Sequence, residues 1–96
     1  MHARVTVLRG SAADIEAGVA NFRENVAPFA KETGEGAMLL IDRDTGKAVA
    51  ITLWQDEEAL TASEERANAL RSEASQQMGA TGEPTVERFE VAVFEI

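Results

Sequence analysis

Residues 37–54, Ala37-Met38-Leu39-Leu40-Ile41-Asp42-Arg43-Asp44-Thr45-Gly46-Lys47-Ala48-Val49-Ala50-Ile51-Thr52-Leu53-Trp54, decide the fold. Two apolar runs rich in strand formers flank a short polar segment with one glycine, which is the pattern of a β-hairpin. In the connection, Asp and Thr side-chain oxygens can accept from nearby backbone N–H groups, and Gly46 supplies the left-handed residue that closes the turn.

Outward from the hairpin, residues 3–9 alternate as a strand, and Gly10 ends it. Ser11 and Asp14 resemble a capping box with Asp in the usual Glu position. Ile15, Val19, Phe22, Val26 and Phe29 then form a single helical stripe, with a kink or restart expected near Pro28. Gly34 and Gly36 mark the loop into the hairpin. Beyond Trp54, Asp56 is an N-cap, with Glu57 and Glu58 in the first turn where the helix dipole favours them. The second helical stripe is Leu60, Ser63, Ala67, Leu70, Ala74 and Met78, mostly small residues, and Gly79 is a natural residue to follow it. A loop to Pro84 leads to a last strand over residues 85–95. The order βαββαβ predicts an α+β, ferredoxin-like domain over residues 1–96, with a four-stranded antiparallel sheet and both helices on one face.

Composition narrows the function. The 96 residues carry 17 acidic and 9 basic side chains, a net charge of −8, which repels phosphate backbones and anionic lipids, so neither nucleic acid nor membrane is expected as a partner. No apolar run approaches a membrane span and no signal-peptide core is present, which makes a cytoplasmic location the expectation. Zero cysteines and one histidine exclude disulfides, thiolate catalysis and clustered Cys/His metal sites, and no metal or cofactor is expected.

Strand alternation assigns two faces. The purely apolar set, Val5, Val7, Leu39, Ile41, Val49, Ile51, Leu53, Phe89, Val91 and Val93, is expected beneath the helices. Arg4, Thr6, Leu8, Met38, Leu40, Ala50, Thr52, Trp54, Arg88, Glu90, Ala92 and Phe94 are expected on the uncovered face. That face is too apolar for solvent, and a second copy packed sheet to sheet about a two-fold axis would cover it, forming a barrel.

The βαββαβ order, the Gly34-Glu35-Gly36 loop, and Trp54-Gln55-Asp56-Glu57-Glu58-Ala59-Leu60 resemble the dimeric α/β-barrel proteins of the antibiotic-biosynthesis monooxygenase type. The resemblance implies a homodimer and a family of cofactor-free oxygenases of aromatic polyketides and haem-degrading enzymes. The haem-degrading type has a histidine on the helix after the tryptophan, and the region around Ser63 and Glu64 has none. Asn21, Asn25 and Asn68 all lie on helices rather than on a strand, and Trp54 alone carries over as a site residue.

The candidate ligand-binding residues are therefore Trp54, Arg4, Arg88, Glu90, Thr52 and Thr6. The Trp54 indole can stack on a planar ligand or serve as a packing anchor. Arg4 or Arg88 can hold a carboxylate or phenolate, or pair with Glu90 to fix dimer register. Thr6 and Thr52 can donate to the same cavity or bond to each other. Asp44-Thr45-Gly46 matches the aspartic-protease tripeptide, but its flanking Arg43 and Lys47 and the helical elements make it a hairpin turn. Asp56, Glu57 and Glu58 serve a helix N-terminus rather than a cation, and His2 is a lone terminal-region proton carrier at most. The expected function is a homodimer that binds a small aromatic or anionic molecule, with cofactor-free oxygenation as the catalytic form of that reading and a non-catalytic binding or structural module as its alternative.

Overall fold

A computed structural model describes residues 1–80 and 82–96. Its strands are β1 (His2–Arg9), β2 (Gly36–Asp42), β3 (Lys47–Trp54) and β4 (Thr85–Glu90), and they form one antiparallel sheet in the order β2-β3-β1-β4. After β1 come a 3-10 turn (Ala12–Asp14), α1 (Ile15–Asn21), a π-helical segment (Phe22–Val26) and α2 (Ala27–Thr33). After β3 come α3 (Glu57–Ala62) and α4 (Glu64–Gln77). This is the expected ferredoxin-like α+β fold. Among the described residues no helix is long and apolar enough to cross a membrane.

The hairpin closes as its residues dictate. Asp42 Oδ1 accepts from the Asp44 and Thr45 N–H groups, and Gly46 adopts φ +80. That turn also fixes β1, because Gly10 N–H donates to the Gly46 carbonyl at 3.0 Å. Ser11 Oγ accepts from Asp14 N–H and Asp56 Oδ1 accepts from Ala59 N–H, so both N-caps form, but the capping box is not reciprocal: Asp14 accepts from the Ser11 hydroxyl, and the Ser11 N–H donates to the Met78 carbonyl. Gly79 takes φ +58 after α4. The loop predicted up to Pro84 is described except at Thr81, which lies outside the described residues.

Pro28 does interrupt the first helix. It sits in the first turn of α2, and the preceding segment is wound wider, with Ala27 N–H donating to the Phe22 carbonyl, an i→i−5 bond. The second helix is also in two pieces, α3 and α4, which meet at Ser63.

The assignment of faces is corrected. Ala37 pairs with Thr52, Leu39 with Ala50 and Ile41 with Ala48, while Arg4 pairs with both Thr52 and Arg88. These residues share the face under the helices: Arg4 bonds the α3 end, and Leu8, Ala48, Ile15 and Met78 form a buried cluster with Leu39 and Ile41 packed on it. Leu39 and Ile41 lie where expected, and so do Met38 and Leu40 on the uncovered face. The other strands are inverted. Arg4, Thr6, Leu8, Ala50, Thr52, Trp54, Arg88 and Glu90 are on the helix side, whereas Val5, Val7, Val49, Ile51, Leu53 and Phe89 are on the uncovered side. There Met38, Leu40 and Phe89 remain 42–49% exposed.

The last strand is shorter than expected. β4 ends at Glu90, and Val91 still donates its N–H to the Met1 carbonyl at 2.9 Å. Val93 and Phe94, expected in that strand, lie beyond it and are exposed.

Candidate ligand cavity

The inversion puts polar strand residues into the interface between sheet and helices. Of the apolar members of the small-residue stripe, Leu60, Ala67, Leu70 and Met78 are buried and Ala74 is partly buried against the same core. Between this stripe and the first helical layer lies a cavity of about 60 Å³. Its floor is Arg4, Thr6, Leu8, Leu39, Ala50 and Thr52, and its walls include Asn21, Phe22, Val26 and Phe29 on one side and Ala67, Leu70 and Arg71 on the other. The π-helical turn supplies Phe22 and Val26. A wider turn adds one residue to the helix without adding length, which changes the direction of the side chains that follow.

Arg4 is only 3% exposed. A buried guanidinium is tolerated where its donors are met, and here Nη2 donates to the Leu60 carbonyl at 3.0 Å, to Ser63 Oγ at 2.9 Å and to Glu64 Oε1 at 2.8 Å. Its Nε is buried without an acceptor. The break between α3 and α4 exposes the carbonyl and hydroxyl that Arg4 uses. Arg71, about two turns further along α4, donates from Nη1 to Asn68 Oδ1 at 2.5 Å, and its Nε is likewise buried without an acceptor. Burial, and then the charge of Arg4, hold the Arg71 pKa below its ordinary value, with Glu64 acting the other way.

Trp54 is fully buried. Its indole N–H donates to Thr52 Oγ1 at 3.0 Å, and its ring meets Phe29 with centroids 5.5 Å apart. It does not line the cavity but touches Arg4 and Thr52, which do. Arg88 and Glu90 do not line it either. Arg88 is exposed and donates to Thr61 Oγ1 at 2.6 Å, and Glu90 is the exposed partner of His2 across the β1–β4 ladder. Of the six residues proposed from sequence, Arg4, Thr6 and Thr52 are therefore together in one cavity, Trp54 is beside it, and Arg88 and Glu90 lie apart from it. Asn21 and Arg71 were missed. Asn21, on a helix, is buried in the cavity wall and accepts from Asn25 Nδ2 at 2.7 Å. The available signal for both was adjacency: Asn21 precedes Phe22, and Arg71 follows Leu70, each next to an apolar stripe.

A second, wider groove of about 320 Å³ runs along the outer edge of β2, between it and Val19, Phe22 and Arg23. Its size comes from being open. The smaller cavity has the convergent polar groups that ligand sites use.

No family model matches the chain. Two relatives from Mycobacterium tuberculosis, the uncharacterized proteins Rv2557 and Rv2558, are 32% identical over 94 residues and 30% identical over 95. Those alignments take in 96% and 97% of this chain but only 41% and 39% of the relatives, so the chain spans about two fifths of their length. Among solved structures, a monooxygenase from the gene ActVA-Orf6 of Streptomyces coelicolor, in complex with nanaomycin D, superposes with a TM-score of 0.75 at 18% identity, covering 99% of this chain and 92% of that one. A dimeric ferredoxin-like protein from an uncultured marine organism superposes with a TM-score of 0.64 at 9% identity, covering 99% and 97%. A NIPSNAP domain protein from Burkholderia xenovorans gives 0.63 at 12% identity, covering 100% and 99%. The chain has the ferredoxin-like fold of these structures, as its resemblance to the α/β-barrel proteins implied.

Proposed function

We propose that this chain acts as a homodimer that binds a small aromatic or anionic molecule between its sheet and its helices. The carrying observation is the cavity itself: two guanidinium groups, two threonines and an asparagine converge on a space otherwise walled by apolar side chains. Its volume of about 60 Å³ favours a small ligand over a polycyclic one unless the walls part. Thr6 and Thr52 are the donors best placed on the floor, with Arg4 fixed at its edge and Trp54 behind it. Arg88 and Glu90 take no part in this version of the site.

The dimer rests on the other face. Met38, Leu40, Phe89, Val49 and Ile51 form an apolar surface with no helix over it, and soluble monomers rarely leave more than a few hundred Å² of that kind uncovered. A second sheet of the same kind covers it by symmetry, and one of the structural neighbours is a dimeric ferredoxin-like protein.

Cofactor-free oxygenation is the catalytic form of this reading, supported by the likeness to a monooxygenase. An enolate or phenolate would react directly with O2, one oxygen atom replacing the two hydrogens of a CH2 carbon and the other leaving as water. The alternative is a binding module without turnover. Titration of planar aromatic acids, followed by the fluorescence of Trp54, tests binding. Ala67→Leu, which fills the cavity, should weaken it. Oxygen consumption with the ligands that bind then separates an enzyme from a binding module, and an unaltered titration in Ala67→Leu overturns the cavity as the site.

A further inference from the structure

We infer that the cavity selects ligands bearing a planar oxyanion, a carboxylate or phenolate, over their neutral counterparts, and that Arg71 is the residue that reads the charge. This deepens the binding reading above and rests on it.

The inference follows from how the charges around the cavity are matched. Its lining includes two arginines and no carboxylate or imidazole. Arg4 is already committed: its Nη2 has three acceptors, among them Glu64 at 2.8 Å, the ion pair that compensates its charge. Among the described residues Arg71 makes no ion pair of its own. Its hydrogen bond among those residues goes to the neutral amide of Asn68, its Nε is buried without an acceptor, and it feels the like charge of Arg4 as well as the opposite charge of Glu64. One carboxylate thus stands against two guanidinium groups, in a protein whose net charge is −8. Arg71 is half-buried, and positive charge drawn partly out of water beside a like charge is disfavoured unless an anion enters to match it.

Shape points to the same class. A guanidinium presents parallel N–H groups that fit a planar two-oxygen anion. The apolar walls supplied by Phe22, Val26 and Leu70 suit the hydrocarbon part of the same molecule. With no base in the lining, the ligand has to arrive already ionised, so this site recognises an acid and does not generate one.

The test compares benzoate with benzamide, which share a ring and differ in charge, by calorimetric titration at neutral pH. Wild type should bind benzoate more tightly by on the order of tenfold to a hundredfold, the range expected of a charge-assisted contact. Arg71→Gln should bring the two affinities together. Arg66→Gln, which makes the same charge change on the same helix at an exposed position, should leave the preference intact. Equal binding of the two probes by wild type, or a preference that survives in Arg71→Gln, overturns the assignment while leaving the cavity as a binding site. If neither probe binds wild type at millimolar concentration, the binding reading fails together with it. The wild-type comparison stands even if Arg71→Gln does not fold, and Arg71→Lys then takes its place, with a reduced preference expected.

Discussion

The guanidinium carbon of Arg4 lies 5.6 Å from the centre of the Trp54 ring, over its face, while the Trp54 N–H is held by Thr52. Three residues that sequence reasoning offered separately as ligand contacts therefore hold one another. A cation over an indole face is a favourable contact in its own right. Trp54 fixes Arg4 and Thr52, and those two present their remaining surface to the cavity.

Arg4 should be the most sensitive charged residue for stability. Arg4→Met leaves Ser63 Oγ and a partly buried Glu64 without their donor, while the Leu60 carbonyl still accepts from the Ser63 hydroxyl, for an expected loss of about 2–4 kcal/mol. Glu64→Gln keeps an acceptor in place, and Glu64 is about one third exposed, so its loss should be nearer ~1 kcal/mol. Urea denaturation of the two variants gives the ordering, and equal losses would mean that Glu64 carries the whole contribution and the other acceptors of Arg4 add nothing measurable.

Light scattering should return about twice the 10.3 kDa chain mass at micromolar concentration. Leu40 is 49% exposed on the uncovered face. Leu40→Glu would place a charge in the proposed sheet-to-sheet contact and should shift the mass to that of a monomer, because an unpaired buried carboxylate is strongly disfavoured. A wild-type monomer that is soluble and stable would remove the dimer.

Gly46 joins two structural demands at one position. Its φ is +80, and an added Cβ would stand 2.6 Å from the Gly10 carbonyl oxygen. Gly46→Ala should therefore cost about 1–3 kcal/mol, with the loss seen in both the hairpin and β1. Amide exchange resolves this: faster exchange at Gly10 as well as in the turn is the expected result, and protection left unchanged at Gly10 would contradict it.

Arg71 should trade stability against recognition. Its folded-state pKa is lowered, so the unfolded chain holds the proton more tightly than the folded one. The resulting cost is fully present at every pH below the folded value, which includes the whole neutral range, and is relieved only as pH rises through that value in strong alkali. Arg71→Met should accordingly melt at the same temperature as wild type or higher, by a margin that does not change between about pH 6 and pH 8, and should lose its preference for the anionic probe. A clear drop in melting temperature would identify Arg71 as a structural residue.

The elements were legible because each carries its own signal. Alternation marks β1 and the hairpin, the 4-3-4-3 stripe marks the first helix, and Ser11, Asp56 and Gly79 mark the ends. The faces were not, because the rule that the more apolar side of a sheet lies under the helices fails when that interface contains a cavity. Arg4, Thr6 and Thr52 are polar because they line it, while Val5, Val49 and Ile51 form the outer apolar surface. The hairpin held the correction: once Asp42 pairs with Lys47, Leu39 must share a side with Ala50, not with Val49. Arg71 was illegible for a different reason. A charged residue on an amphipathic helix is ordinarily solvated, and only the tertiary position of α4 turns this one inward.

The wound-out turn at Phe22–Val26 gives the first helix one residue more than its length requires. The chain therefore has a place where cavity shape can change by altering residue count instead of side-chain size. Deleting a single residue there would let the two flanking helices run in common phase, rotating Phe29 relative to Asn21 by roughly the 100° that one helical residue subtends. Insertions and deletions in proteins are ordinarily confined to surface loops. In this fold one of them can act on the wall of an interior site, so descendants of this sequence can acquire a differently shaped cavity while every side chain that lines it stays the same.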